Sequence, residues 1–339
     1  MKATQTKLCA RDKVPLHQHI PLDTPLLVTI EPSGICNLKC KYCLFTLPEA
    51  KISSLGHSLQ LMHDDVFERI VSDLRQFPKS VKSITFARLG EPLLNKKLPE
   101  MIGRLKEEKL CGKTLVITNA IPLTRQMSHD LVSAGLDKIK ISISGLSADD
   151  YLENCGSSID FSELRSNIEY LYNNKGSMTV QIKTLDKLLG DDFEKGKERF
   201  LSLFGDICDE IDVEHLFPMF ANDINYKETY FRDSEAPVNR YGSNMNRKVC
   251  STPFYKLSIA ADGKVEYCFS RGIAAGNLSK ASLFEIWNSE ERKSVLINLL
   301  NGKHEGLTET CLTCGCSQDS IADEDDLDNC DDEQISKFL

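Results

Sequence analysis

Six apolar, β-branched runs alternate with helical stretches up to residue 214, and this alternation limits the fold more than any other feature. The runs are "LLVTIE" (26–31), "VKSITF" (81–86), "TLVIT" (114–118), "KIKISI" (138–143), "MTVQIK" (178–183) and "EIDVE" (210–214). Between them, residues 63–77, 98–109, 123–135, 161–174 and 191–204 repeat apolar side chains at helical spacing. Thr124 and Ser128 suit the start of the third helix, and Gly135 suits its end. Strands separated by helices take right-handed crossovers and lie parallel. The pattern therefore predicts an α/β fold, a partial (β/α)6 barrel. Its working face is the C-terminal ends of the strands, where loops converge.

The pattern changes near residue 220. Residues 221–248 are polar, contain Pro237 and Gly242, and read as a linker or lid. "FYKLSIAADGKVEYC" (254–268) alternates around Asp262-Gly263, a hairpin signal. Residues 281–300 read as one amphipathic helix, and "DEDDLDNCDDE" (323–333) as a solvated acidic tail. The expected division is an N-terminal extension (1–24), the barrel (25–220), a linker (221–248), a second domain (249–318) and the tail (319–339).

Cysteine usage narrows the chemistry. The N-terminus has no apolar signal region, and no apolar run approaches the about 20 residues that span a bilayer. A cytoplasmic location with no membrane contact is expected. The net charge of −9 argues against a nucleic-acid partner, which needs a basic face. In a reducing compartment, 13 cysteines point to metal ligation more than to a disulfide framework. Cys9, Cys111, Cys155 and Cys208 stand alone and read as small hydrophobes. The rest form two groups: Cys36, Cys40 and Cys43, then Cys250, Cys268, Cys311, Cys314, Cys316 and Cys330. Structural zinc closes with four ligands, and no nearby His or Cys completes the first group. A [4Fe–4S] cluster tolerates three cysteines if an outside molecule binds the fourth iron.

Taken together, these features resemble the radical S-adenosylmethionine (SAM) superfamily. Cys36, Cys40 and Cys43 match its CxxxCxxC motif, with Tyr42 at the aromatic position before the last cysteine. The resemblance implies a [4Fe–4S] cluster whose fourth iron is chelated by SAM, and formation of a 5′-deoxyadenosyl radical that abstracts a substrate hydrogen. "LGEPLLN" (89–95) resembles the GGEP motif with Leu89 in place of the first Gly; it implies SAM contact through Gly90 and Glu91. "TNA" (118–120) matches the family's TNG and implies a role for Asn119. "SIS" (142–144) places Ser142 and Ser144 where the family puts SAM-facing hydroxyls, and Lys183 stands within reach of SAM or substrate.

The C-terminal part resembles the SPASM/twitch subclass, which carries auxiliary iron–sulfur clusters. Cys250, Gly263 and Cys268 match the opening of its pattern, and Cys311-Leu312-Thr313-Cys314 matches its CxxC. A full SPASM pattern continues to a cysteine where Ser320 stands here. The resemblance thus implies one auxiliary [4Fe–4S] cluster on Cys250, Cys268, Cys311 and Cys314, two clusters in all, with Cys316 and Cys330 spare. This layout looks like the twitch domain of the radical SAM dehydrogenases of 2-deoxy-scyllo-inosamine.

The function implied is oxidation of an alcohol carbon in a carbohydrate or cyclitol-like small molecule, with a flavodoxin or ferredoxin-type reductant. Radical epimerisation of a sugar, modification of a ribosomally made peptide, and a non-catalytic iron–sulfur electron carrier are the alternatives. The 25 residues before the first run leave no room for a leader-binding module of about 80 residues, which favours a small substrate. Glu214 and His215, ending the sixth run, are candidates for a general base. Arg88 and Arg240 are candidates for holding an anionic group.

Overall fold

All six expected strands are present, and they lie side by side in parallel. The computed structural model describes residues 2–5, 14–220, 222–230, 238–240, 242, 247–268, 273–303, 305–312, 314 and 322–338. Strands run β1 (Thr4–Gln5), β2 (Leu27–Ile30), β3 (Val81–Phe86), β4 (Cys111–Thr118), β5 (Lys138–Ser142), β6 (Thr179–Leu185), β7 (Glu210–Glu214), β8 (Lys256–Ile259), β9 (Lys264–Glu266) and β10 (Ala274–Asn277). Helices are α1 (Glu49–Ser54), α2 (Asp64–Leu74), α3 (Leu98–Glu107), α4 (Arg125–Ser133), α5 (Ala148–Cys155), α6 (Phe161–Asn174), α7 (Phe193–Phe204), α8 (Tyr226–Thr229), α9 (Thr252–Tyr255), α10 (Leu283–Trp287), α11 (Glu290–Leu300), α12 (Glu309–Leu312) and α13 (Asp332–Ser336).

Strand alternation divides the sheet into two faces. Ile139, Ile141, Val180, Ile182 and Ile211 join the apolar faces of the helices in one core. Each fully buried side chain of this size contributes about 1.5–3 kcal/mol. Between them, Lys138, Lys140, Gln181, Lys183, Glu210, Asp212 and Glu214 occupy the other face, where they pair with one another. The helices start where side-chain caps permit. Thr124 accepts from the Met127 N–H at 3.1 Å, and Asp160 and Asp192 do the same for α6 and α7. Gly135 takes a φ of 77° just past α4, as expected of a helix stop. Ser128 instead donates back to the Thr124 carbonyl inside the helix.

Several expectations need correction. The sheet order is β1-β7-β6-β5-β4-β3-β2-β8-β9-β10, so the N-terminal extension supplies an edge strand on β7. The C-terminal hairpin is present, with Gly263 at φ 80°, but it is joined to the barrel sheet: β8 pairs in parallel with β2 from Leu27↔Lys256 to Ile30↔Ile259. The expected helix over 281–300 is two helices, α10 with a Ser282–Glu285 capping box and α11 capped by Ser289.

The acidic C-terminal segment is docked instead of solvated. Leu327 and Phe338 are 1% and 4% exposed, and Phe338 meets Phe254 edge to face. Its acids have partners: Arg247 pairs with Asp323 and Asp326, and Asp328 accepts from the Lys248 and Val249 N–H groups. Its two buried apolar residues, spaced along a charged run, were masked by net composition. Cys9, Cys316, Ser320 and much of the expected linker lie outside the described residues.

Candidate active site

The loop carrying Cys36, Cys40 and Cys43 leaves the C-terminal end of β2 and is stapled on several sides. At its entry the Gly34 N–H donates to the Gln60 carbonyl, and His57 Nε2 donates to the Gly34 carbonyl, both at 2.8 Å. A Cβ on Gly34 would meet the Ser58 oxygen at 2.0 Å, so only glycine fits. Midway, the N–H groups of Lys39 and Lys41 donate to the carbonyls of Cys155 and Asn154, each at 2.9 Å, tying the loop to the end of α5.

The loop after β3 closes the next side. Arg88 holds a φ of 129°, a conformation that costs a non-glycine residue of order 1–3 kcal/mol. Two buried ion pairs hold it there, to Glu31 at 3.2 Å and Glu266 at 2.6 Å. Arg88 is therefore a structural joint between β2, β3 and β9, and not an open anchor for a substrate anion. The Leu89 N–H donates to Glu31, and the Leu89 side chain enters a second small core with Leu44, Phe45, Ile52, Leu216, Phe220, Ile224 and Tyr226. That packing is a physical reason for leucine where the family motif has glycine. At Gly90 a Cβ would strike the Ser33 carbonyl at 1.9 Å, so this glycine sets how closely the two loops approach.

Glu91 is committed internally. Its N–H donates to the Ile35 carbonyl, and its carboxylate accepts from Thr118 Oγ1 at 2.6 Å and from the Asn119 and Leu93 N–H groups. Burial pushes its carboxyl up to about 7 against those bonds. Asn119, fixed by Glu91, reaches Asn37 Oδ1 at 2.9 Å and thus touches the cysteine loop. Across the loop, the Tyr42 and Ser144 hydroxyls lie 2.7 Å apart, and Tyr226 donates to the Tyr42 carbonyl at 2.8 Å. Tyr230 packs edge-on against Tyr42, so the described start of the expected linker folds back over the cysteine loop.

The thiols suit iron–sulfur ligation. The Leu38 N–H points at Cys36 Sγ, and the Leu44 and Phe45 N–H groups point at Cys43 Sγ, donors that favour thiolates. Burial nevertheless pushes Cys36 up and Cys43 up to about 12, and a charge on Cys40 raises both further. Iron must therefore displace protons here. Among the described residues no three His, Cys, Asp or Glu side chains converge on a single ion. A [4Fe–4S] cluster spreads its thiolates over separate irons, so its ligands need no such convergence.

At the ends of β6 and β7, Lys183 pairs with Glu214 at 2.5 Å, and Lys140 lies 3.5 Å from the same carboxylate. Burial alone would raise Glu214, but Lys183, Lys140 and Arg240 outweigh it and hold the carboxyl down to about 2. A carboxylate so stabilised, 4% exposed and shared by two lysines, is a weak proton acceptor. Strand alternation turns His215 away from Glu214; its Nδ1 lies 2.8 Å from Asp186. Ser142 sits opposite Lys183 in the sheet register.

The second cysteine group gathers from separated elements. Cys250 precedes α9, Cys268 follows β9, and Cys311 and Cys314 lie in and after α12. Charge on Cys250, Cys268 or Cys314 is felt at Cys311, so the four share one neighbourhood. Burial pushes Cys250 up to about 11 and Cys311 up to about 12, while Thr252 donates to Cys250 Sγ through N–H and hydroxyl. Burial also raises Cys330, whose charged neighbours are instead Asp331, Asp326 and Asp328. Cys111 and Cys208 are buried as expected, whereas Cys155, expected to stand alone, lies 3.4 Å from Cys40. No sequence spacing signals that pair.

Comparisons with known proteins agree with this layout. The Radical SAM superfamily model matches residues 30–196, and the SPASM model, an iron–sulfur cluster-binding domain, matches residues 250–315. A probable GTP 3′,8-cyclase of Methanococcus vannielii is 34% identical over 125 residues, 37% of this chain and 38% of the relative. The chain thus spans little more than a third of that relative's length. The crystal structure of BtrN in complex with AdoMet and 2-DOIA superposes with a TM-score of 0.52 at 18% identity, over 86% of this chain and 92% of that one. Streptococcus suis SuiB bound to precursor peptide SuiA gives 0.58 at 17% identity, over 89% and 72%. At these identities the structural likeness shows the fold alone. The two family matches, falling in order on the barrel and on the hairpin region beyond it, show that the chain belongs to the radical SAM superfamily: it is a radical SAM enzyme with a SPASM domain, using a [4Fe–4S] cluster with SAM and auxiliary iron–sulfur.

Proposed function

We propose that this enzyme dehydrogenates an alcohol carbon of a carbohydrate or cyclitol-like small molecule. In this reading Cys36, Cys40 and Cys43 hold the SAM cluster in a barrel spanning 25–220. Cys250, Cys268, Cys311 and Cys314 hold one auxiliary [4Fe–4S] cluster in a domain spanning 249–318. The single observation that carries it is the gathering of those four thiols in one neighbourhood, with Cys330 apart among aspartates. Four cysteines close a cluster and leave no iron open to grip substrate. When bound, SAM and its cluster supply a radical that removes a carbon-bound hydrogen, and an auxiliary cluster supplies a one-electron acceptor.

The chain's own residues do the positioning. The Gly90 backbone, Asn119, Ser142, Ser144 and Tyr42 border the place for SAM, and Glu91 fixes Asn119. Lys140 and Lys183, sharing one carboxylate on the polar face of the sheet, suit the hydroxyls of a polar substrate. A flavodoxin or ferredoxin-type protein supplies electrons, in the cytoplasm; no helix among the described residues is long and apolar enough to cross a membrane.

The test is turnover in D₂O with SAM, dithionite and a panel of amino-cyclitols, hexoses and short peptides, including 2-deoxy-scyllo-inosamine. Dehydrogenation yields a carbonyl, one SAM consumed per turnover, and no deuterium at the reacting carbon. Deuterium at the reacting carbon of an unoxidised product would sink dehydrogenation in favour of epimerisation. Turnover confined to peptides would favour the peptide-modifying alternative.

A further inference from the structure

Cys155 has no part in the reading above, yet its sulfur stands 3.4 Å from Cys40 Sγ. The backbone holds the two together. Cys155 ends α5, and Gly156 at φ 60° turns the chain out of the helix. The bonds from Lys39 to Cys155 and from Lys41 to Asn154, both 2.9 Å, bracket Cys40. Cys155 is fully buried and Cys40 is half-buried, and the Cys40 thiol donates toward the Cys155 sulfur.

We propose that in the cluster-free chain Cys40 and Cys155 form a redox pair that a peroxide closes to a disulfide. Hydrogen peroxide takes one thiol of the pair to a sulfenic acid and leaves as one water. The other thiol then attacks that sulfur, the S–S bond forms, and the sulfenic oxygen leaves as a second water. The thiol pair loses two electrons and the peroxide gains them. The S–S bond is about 2.05 Å, so the two sulfurs must close from 3.4 Å. Once closed, the disulfide withholds Cys40 from iron until a thiol reductant reopens it, and it spares Cys40 from irreversible oxidation. This consequence rests on Cys40 being a cluster ligand; the bond itself does not.

The experiment uses the full chain, freed of iron under dithiothreitol, desalted anaerobically and given one equivalent of hydrogen peroxide. Because Lys39 and Lys41 flank Cys40, the non-reducing peptide map needs a protease that does not cut at lysine. The expected dominant cross-link is Cys40–Cys155. Iron uptake after peroxide should fall by about four atoms per chain and return with dithiothreitol. In Cys155→Ser, given two equivalents of peroxide, the cross-link should vanish and the lost uptake should not return, because Cys40 without its partner thiol goes on to sulfinic acid, one peroxide for each step. A wild-type map with Cys155 reduced, and Cys40 joined to Cys36 or Cys43 or overoxidised, overturns the proposal, and that map decides even if Cys155→Ser fails to fold. A Cys40–Cys155 bond that leaves iron uptake unchanged upholds the pair and overturns the ligand reading of Cys40.

Discussion

The two cysteine groups differ in how they are made. Cys36, Cys40 and Cys43 lie within eight residues on one loop, and neighbouring loops staple that loop by backbone bonds and two glycine contacts. Cys250, Cys268, Cys311 and Cys314 come from three places in the chain, and the elements beside them are held by the docked C-terminal segment and the shared sheet. The first site is local and preorganised; the second is a product of tertiary structure. Damage far from the second site should therefore reach it, while the first responds mainly to its own residues.

The largest effect separates the two groups outright. Replacing Cys36, Cys40 and Cys43 together by Ala should abolish 5′-deoxyadenosine release from anaerobically reconstituted protein given dithionite and SAM. Cys314→Ala should leave that release in place. Undiminished 5′-deoxyadenosine from the triple variant would end the assignment of the first group.

A second effect strikes the joint between the regions. Arg88 binds Glu31 beside the first group and Glu266, two residues before Cys268. Arg88→Met leaves the buried Glu31 without its cation and Glu266 with Lys264 alone, and should cost about 3–5 kcal/mol in denaturant unfolding. Arg88→Gly suits the φ of 129° and isolates the ion pairs from the strain; it should remain strongly destabilised. A loss under about 1 kcal/mol in both would mean that the network holds nothing together.

A third, smaller effect tests the dependence on the docked segment. Leu327, 1% exposed, should cost about 2–5 kcal/mol as Ala. Iron at the second group should fall while 5′-deoxyadenosine formation persists. Unchanged stability and iron would return this segment to the role of a solvated tail.

What sequence made legible follows the same divide. The six strands, the hairpin at Asp262-Gly263 and the cysteine motifs are set by period and spacing over a few residues, so they could be read directly. The strand β1, the join of β8 to β2 and the burial of Leu327 and Phe338 depend on partners far along the chain, and no local pattern announces them. The same holds within the site. Gly90 was readable as a motif, but the demand for glycine there comes from Ser33, and the place of Leu89 comes from a core assembled out of three segments. Glu214 and His215 were placed at the mouth by position alone. Their partners, Lys183 with Lys140 for one and Asp186 for the other, lie 29 or more residues away.

Iron stoichiometry tests the division into two sites most directly. Anaerobically reconstituted wild-type protein should carry about eight iron atoms and an equal amount of acid-labile sulfide per chain, and the triple Cys36, Cys40, Cys43→Ala variant about four. A wild-type value near twelve, with Cys316 and Cys330 then completing a further cluster, or a triple variant that retains none, would contradict it.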